Sequence, residues 1–444
     1  MEGIHMSASK IRRILYLALP LILQQLCLQL QLWIDRAMLG HVNAAFFSAI
    51  GNTTVPYYMA SSTITAITGG TAILVAQNMG AANYKKVRET AQCSFLGSSI
   101  LSCIAFLFFL CCSEPLFQVM GLQSPILEYS LSYIRILSFS LLILGPNATA
   151  TAIAQGVGCT KIIMISGMIG NLLNILLDWV LIFGRLGLPA MGIEGAALAT
   201  VISNFVSGPI LIGFVFCSRQ MPVKLRITGS LSQQLRQYGD ILKLGIPSGL
   251  EYALWNFGNF ILVSFLNRLN MTAAGIYTLV FSIETVPLLI YMGFANAGLT
   301  LVGQNTGAKD PKQAQQAGFM CLGFSLIICV LVGSLFLLIP KQLLCIFTND
   351  GETLATAVPY LSFIALGLFP KAINNVIGLC IRGIGDTRWM LYTQIFGTIF
   401  MISAGYILIL CTPLGLTGIF ITLIADETLR SIANLLHFRS KTKT

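Results

Sequence analysis

Charge is what this chain of 444 residues has least of: Asp, Glu, Lys and Arg make up 9%, beside 56% hydrophobic residues and a mean hydropathy of +0.82. Ordinary soluble domains carry roughly 25%, so water is excluded as the main solvent. Histidine is nearly missing. His5, His41 and His437 lie far apart near segment ends, which excludes a histidine-built metal centre. The twelve cysteines form no CxxC pair and no Cys/His spacing suited to zinc, and they fall mainly in apolar segments, where they read as small, reduced, buried hydrophobes. There is no GxxxxGK[ST] phosphate loop, so a self-contained ATP-driven pump is excluded. There is no filter-like segment of the kind a channel assembles from several subunits. Without a Ser/His, metal or phosphate motif, the chain does not read as an enzyme. The first apolar segment is too long for a cleavable secretory signal and lacks a small-residue cleavage site. The opening MEGIHM reads as a vector-derived prefix ahead of Met6.

What is present is apolar length. A hydrocarbon core near 30 Å needs about 20 apolar residues to cross it, and such runs recur at 14–39, 46–77, 90–111, 130–156, 162–184, 193–217, 241–267, 273–303, 314–339, 355–381, 388–411 and 415–437. All twelve are predicted to be helical, because an unpaired backbone group is intolerable in lipid. The net charge of +10 suggests nucleic acid only until the basic residues are placed. Lys10, Arg12, Arg13, Lys85, Lys86, Arg88, Lys161, Arg219, Lys224, Lys309, Lys312, Arg439 and others fall on one side of the spans, against Arg185, Arg268 and Lys341 on the other. That bias is the positive-inside pattern of a multi-pass membrane protein with both termini cytoplasmic, and it argues against a nucleic-acid partner.

The two halves overlay at a constant shift. Leu19-Pro20 matches Ile246-Pro247, Gln77-Asn78-Met79-Gly80-Ala81 matches Gln304-Asn305-Thr306-Gly307-Ala308, and Gly156-Val157-Gly158-Cys159-Thr160 matches Gly383-Ile384-Gly385-Asp386-Thr387, each displaced by 227. Gly192-Ile193-Glu194-Gly195 resembles Gly415-Leu416-Thr417-Gly418 at 223. The fold predicted is all-α, with twelve transmembrane helices in two pseudo-symmetric six-helix bundles: an N-lobe over 1–217, a cytoplasmic linker over 218–240 and a C-lobe over 241–444. Six is even, so both halves enter the membrane in one orientation, and two such bundles suit alternating access. The internal pseudosymmetry suits a monomer.

A carboxylate inside an apolar span costs about 2.5 kcal/mol or more and usually faces a cavity or a partner. Asp35, fifteen residues after Pro20, reads either as an ion-coupling group or as an interfacial residue paired with Arg36. Asn174 and Asp178 are four residues apart, so one helix face presents an amide oxygen and a carboxylate, which suit H⁺ or Na⁺. Sharing one dry pocket, Asp35 and Asp178 could take up a proton. In the second half Glu251 and Glu284 could attract a cationic substrate, or either could pair with the intramembrane Lys371. Asp426 and Arg430 have the spacing of a structural i,i+4 pair. Pro20, Pro56, Pro146, Pro247, Pro287 and Pro370 interrupt apolar helices and favour kinks, the one at Pro20 being placed to open and close an Asp35 pocket.

The strings LPLILQQL, WIDRAMLG, VAQNMGAAN with VGQNTGAKD, QGVGCTK with RGIGDTR, and ADETLRSIANLLHFRSK together resemble the multidrug and toxic compound extrusion (MATE) family, bacterial type, over essentially the whole chain. The resemblance implies an inner-membrane antiporter that expels organic, cationic drugs in exchange for H⁺ or Na⁺, with no other cofactor. By motif, Asp35 looks like the family's first-helix acid, Asn174 and Asp178 its fifth-helix pair, and Thr200 its sixth-helix hydroxyl, together the N-lobe cation site; Pro20 resembles the bending proline. Glu251 resembles a seventh-helix acid of some members, whereas Lys371 falls near a tenth-helix acid of certain Na⁺-coupled members and departs from it. The competing transporter reading is a flippase for lipid-linked oligosaccharides, which would call for a strongly basic cavity.

Overall fold

The computed structural model describes residues 8–42, 44–219, 221, 231–269, 271–348 and 350–443. His5 and the MEGIHM prefix lie outside the described residues. The elements are α1 (Ala8–Val42), α2 (Ala44–Gly80), α3 (Tyr84–Val119), α4 (Ile126–Leu137), α5 (Phe139–Val157), α6 (Thr160–Phe183), α7 (Gly192–Cys217), α8 (Leu231–Leu269), α9 (Met271–Gly307), α10 (Pro311–Leu338), the short α11 (Pro340–Leu344), α12 (Gly351–Ile384), α13 (Thr387–Gly405), which runs into a π-helical turn at Tyr406–Cys411, and α14 (Leu416–Lys441). No strand occurs among the described residues. Counting α4 and α5 as one span and leaving α11 aside gives twelve long segments, as the apolar runs predict. Nine of them are apolar and long enough on their own to cross a membrane, and the α4–α5 pair, bent by 43°, is a tenth. The other two are α8, which carries Glu251, and α14, which carries Asp426, Glu427 and Arg430.

The six prolines lie inside unbroken helices, within which a bend can still be made. The helix α1 is continuous through Pro20 and α8 through Pro247, because a proline costs one donor while the flanking hydrogen bonds persist. The broken span parts instead at Ser138, eight residues before Pro146.

The duplication is written into the backbone. Ala82 and Lys309 share the left-handed conformation at φ 53° and 58°, as do Gly158 and Gly385 at 99° and 101°. Asn83 caps α3 by accepting from the Lys86 amide, and Asp310 caps α10 by accepting from the Gln313 amide. Each of these pairs is 227 residues apart. Gly192 and Gly415, at φ 56° and 50°, repeat at the shorter shift of 223. The repeat therefore conserves how helices stop and start, the step that sets which helix returns beside which.

Two compact units result, one of Leu23–Gly245 and the other of residues up to Ile22 together with Ile246–Thr444. The division does not follow the linear one. Leu231–Asp240, read above as linker, is already helical in α8; Tyr238 is buried there, as is Ile241 just beyond it, which a solvated linker would not do. Residues 222–230 of that segment lie outside the described residues. Within the first unit, α8 reaches α2 through small residues: a Cβ on Gly245 would meet the Ile67 carbonyl oxygen at 2.5 Å, and one on Gly70 the Ile241 oxygen at 2.6 Å. Within the second, α1 meets α9 at Gly293, where a Cβ would press on Ile22 and lie 3.2 Å from the Ala18 oxygen. Backbone cannot yield as a flexible side chain does. Gly245→Leu is expected to cost at least about 2 kcal/mol through overpacking, read as a lower melting temperature and less monodisperse protein; an unchanged melting temperature would contradict this packing.

Candidate functional site

In the Leu23–Gly245 unit, α1, α6 and α7 bring four of the sequence candidates together. The Gln31 amide donates to Asp35 Oδ2 at 3.1 Å and, across to α6, to Asn174 Oδ1. Asn174 Nδ2 in turn reaches Thr200 Oγ1 of α7 at 3.5 Å. Asp35 and Asp178 stand within hydrogen-bonding reach of each other. Carboxylate oxygens only accept, so a hydrogen bond between these two groups requires a shared proton. Asp178 is 1% exposed and Asn174 2%. Asp35 Oδ1 and Asp178 Oδ1 are buried with no hydrogen-bond partner among the described residues. Two orphan carboxylate oxygens, an amide oxygen and a hydroxyl make a hard, all-oxygen donor set that fits a proton or a small monovalent cation.

Gln31 and Asn171 are site residues that the sequence reading passed over. Asn171 turned so that Nδ2 faces Gln31 Oε1 donates at 2.9 Å. The signal was available: Gln31 precedes Asp35 by one helical turn, and Asn171, Asn174 and Asp178 form one polar stripe. Tyr133 of α4 lies within electrostatic reach of both acids.

Applying the 227-residue shift to Asp35 and Asp178 gives Leu262 and Gly405. These also face one another, since a Cβ on Gly405 would run into Leu262 Cδ2. Asn174 maps onto Met401, 1% exposed. Thus the helix pairing is duplicated but its chemistry is not, and a leucine packed on a glycine fills the place of the carboxyl pair.

The second unit carries ion pairs instead. Lys371 Nζ meets Glu284 Oε1 at 2.5 Å. Glu251 pairs with Arg382 at 2.7 Å rather than with Lys371; Arg382 reaches back from the last turn of α12. Arg430 binds Asp426 at 2.6 Å, as its spacing predicts, and also Glu427 at 3.1 Å and Gln394 Oε1 at 2.7 Å. From Glu427 a chain of hydrogen bonds continues through Asn374 and Asn434 to the Trp389 indole, which stacks on His437 with centroids 3.9 Å apart. His437 Nε2 closes on Asp386 Oδ2 at 2.9 Å. This network links α12, α13 and α14, and sequence spacing gave no sign of it.

Asp386 sits between spans, at the cap of α13. Partial burial works to raise its pKa, but the hydrogen bonds from His437 and the Trp389 amide and the charges of His437 and Lys441 outweigh burial and hold it below the ordinary 3.8. A carboxylate depressed in the folded state contributes stability above its unfolded pKa and loses it as pH falls through the folded one. Asp386→Ala is therefore expected to cost about 1–2 kcal/mol at pH 7, the cap included, with the gap from wild type in melting temperature closing below pH 3.8.

A duplicated helical chain of membrane-spanning length, with carboxyl oxygens buried without partners inside its spans, defines a multi-pass membrane protein. The chain belongs to the MatE family, the MATE multidrug efflux transporters: the family model matches residues 20–180 and again 247–407, the second match starting at the proline 227 residues on (247 less 20). It is 27% identical over 437 residues to the probable multidrug resistance protein NorM of Thermotoga maritima, covering 97% of this chain and 92% of that one. It is 25% identical to the uncharacterized transporter YisQ of Bacillus subtilis, over 84% of this chain and 82% of that one. Among solved structures it is similar in fold to an outward-facing multidrug resistance MATE family transporter of the MOP superfamily, with a TM-score of 0.90 at 22% identity over 100% of this chain and 99% of that one. MATE in a bent conformation matches at 0.89 and 22%, over 98% and 95%.

Proposed function

We propose that the protein is a secondary antiporter of the inner membrane, exporting organic cationic drugs in exchange for H⁺ or Na⁺ by alternating access of its two lobes, with both termini cytoplasmic. The observation that carries this reading is the contact of Asp35 with Asp178 inside the Gln31, Asn174 and Thr200 hydrogen-bond set, each acid keeping one buried oxygen without a partner. A buried oxygen without a partner is costly, and an arriving proton or Na⁺ removes that cost. Ion binding and substrate binding are then alternatives, the entry of one going with the release of the other, which is what exchange requires. Pro20 serves as the bending point of α1, fifteen residues from Asp35. The positive-inside bias supports the orientation, and the multidrug names of the relatives support drugs as substrates.

The flippase reading loses ground on charge. The C-half holds Arg430 buried and Lys371 and Arg382 partly buried, and each is held by a carboxylate, so these three cations are already neutralised within the protein.

Ethidium efflux from reconstituted vesicles, with pH and Na⁺ gradients imposed separately, tests the proposal. Movement under one gradient names the coupling ion; movement of no cationic dye under either gradient overturns the antiport reading in favour of the flippase.

A further inference from the structure

Among the ion-paired carboxylates of the described residues, Glu284 alone keeps a buried oxygen without a hydrogen-bond partner, the other unpartnered atom of these pairs being Arg382 Nε. Arg430 is shared among two carboxylates and an amide oxygen. Glu284 spends Oε1 on Lys371, while Oε2 is buried without a hydrogen-bond partner, on a side chain only 4% exposed. The Lys371 ammonium also sits over the Phe281 ring, 5.8 Å from its centroid, and that ring stacks on Tyr277 with centroids 5.8 Å apart. One carboxylate and an aromatic face around a single ammonium is the chemistry that recognises organic cations. Here the chain supplies the cation itself, on a flexible four-carbon stem.

The fold does not need this pair. The 227-residue shift maps Glu284 onto Tyr57 and Lys371 onto Leu144. In the N-half those two side chains pack against the apolar cluster around Leu141 and Phe109, with no charge between the same two helices. A pair that the duplicated scaffold does without, and that leaves a buried carboxylate oxygen unsatisfied, is poorly explained as a structural staple.

Building on the reading that the substrates are organic cations, we infer that Glu284, Phe281 and Tyr277 form an organic-cation subsite whose resting occupant is the Lys371 ammonium. Substrate and Lys371 compete for one carboxylate. The exchange is neutral in charge at Glu284, since one ammonium-like cation replaces another, and Glu284 Oε2 offers the entering cation an acceptor that Lys371 leaves unused.

Equilibrium binding of tetraphenylphosphonium to the purified full chain tests the competition. Lys371→Ala removes the competitor and is expected to bind about tenfold more tightly than wild type, with Glu284→Gln abolishing that gain in the double variant and Phe281→Ala reducing it several-fold. Because Lys371→Ala leaves Glu284 unpaired and could impair folding, the second variant is E284Y/K371L, which installs the N-half pair; it should keep the wild-type melting temperature and bind several-fold more weakly than wild type. The subsite is overturned if wild type binds the probe while Lys371→Ala binds no tighter, or if E284Y/K371L folds and binds as wild type does. If folded wild type neither binds nor moves any organic cation, the broader substrate reading falls along with it, so the two failures are told apart.

Discussion

Asp178→Asn is expected to reduce gradient-driven export to background, at least about a hundredfold below wild type, while leaving the protein as stable as before. The reasoning turns on what asparagine keeps and what it loses. Its amide can donate permanently to Asp35, doing the work of the shared proton, so the hydrogen bond between α1 and α6 survives without any titration. Removing one of two facing carboxyl groups also removes their mutual repulsion. Stability should therefore hold or rise, read as an equal or higher melting temperature in detergent. Exchange, in contrast, needs a group that takes up and gives back a cation. An amide in place of Asp178 locks the pair in one state, and alternation loses its trigger. Each hundredfold is about 2.7 kcal/mol of lost coupling, within what a single buried carboxyl group can supply. Dye efflux from vesicles under imposed pH and Na⁺ gradients reads the effect, and export above a tenth of wild type would remove Asp178 from the coupling site.

The sequence announces this site more plainly than the rest of the molecule, and the reason is local. Asn174 and Asp178 share a helix face by spacing alone, and an acid such as Asp35 inside an apolar run declares its own cost. Contacts made by shape and by long separation are not announced. Arg382 lies 131 residues from Glu251, and nothing in its surroundings distinguishes it from the basic residues of the neighbouring loop. Trp389, Asn434 and Asn374 are ordinary residues of amphipathic helices until packing joins them. The duplication was legible at helix ends, where glycine, proline and caps leave fixed signatures; it was silent on function, because Leu262 and Gly405 keep the packing of Asp35 and Asp178 and discard the chemistry. The helical start of α8 inside the polar run was hidden for a similar reason. The polar run after Cys217 looks like a linker, but Tyr238 and Ile241 within α8 are too few to register as a buried face.

The two halves thus spend their buried charge differently, and Arg430 shows the cost of the second arrangement. Its guanidinium, 6% exposed, is the only cation touching Asp426 and Glu427 among the described residues. Gly397 of α13 allows the approach, for a Cβ there would lie 2.6 Å from Asp426 Oδ1 and 2.8 Å from Arg430 Cδ. Arg430→Met removes the counter-charge from two acids at once and strands Gln394 Oε1, and breaking a buried pair in this way costs about 3–5 kcal/mol. That is a large share of the stability of any single domain, so the expected result is a fall in melting temperature of ten degrees or more, or no folded protein. Replacing the triad together, as Asp426→Leu, Glu427→Gln and Arg430→Met, leaves no unpaired charge and keeps an acceptor for Asn374 at position 427. It should recover most of the loss, because apolar isosteres of buried ion pairs are often neutral or better. If the triple variant is stable and still exports dye, the triad is a staple between α13 and α14. If it is stable and inert, charge at Asp426 or Glu427 belongs to transport, and the N-half dyad does not act alone.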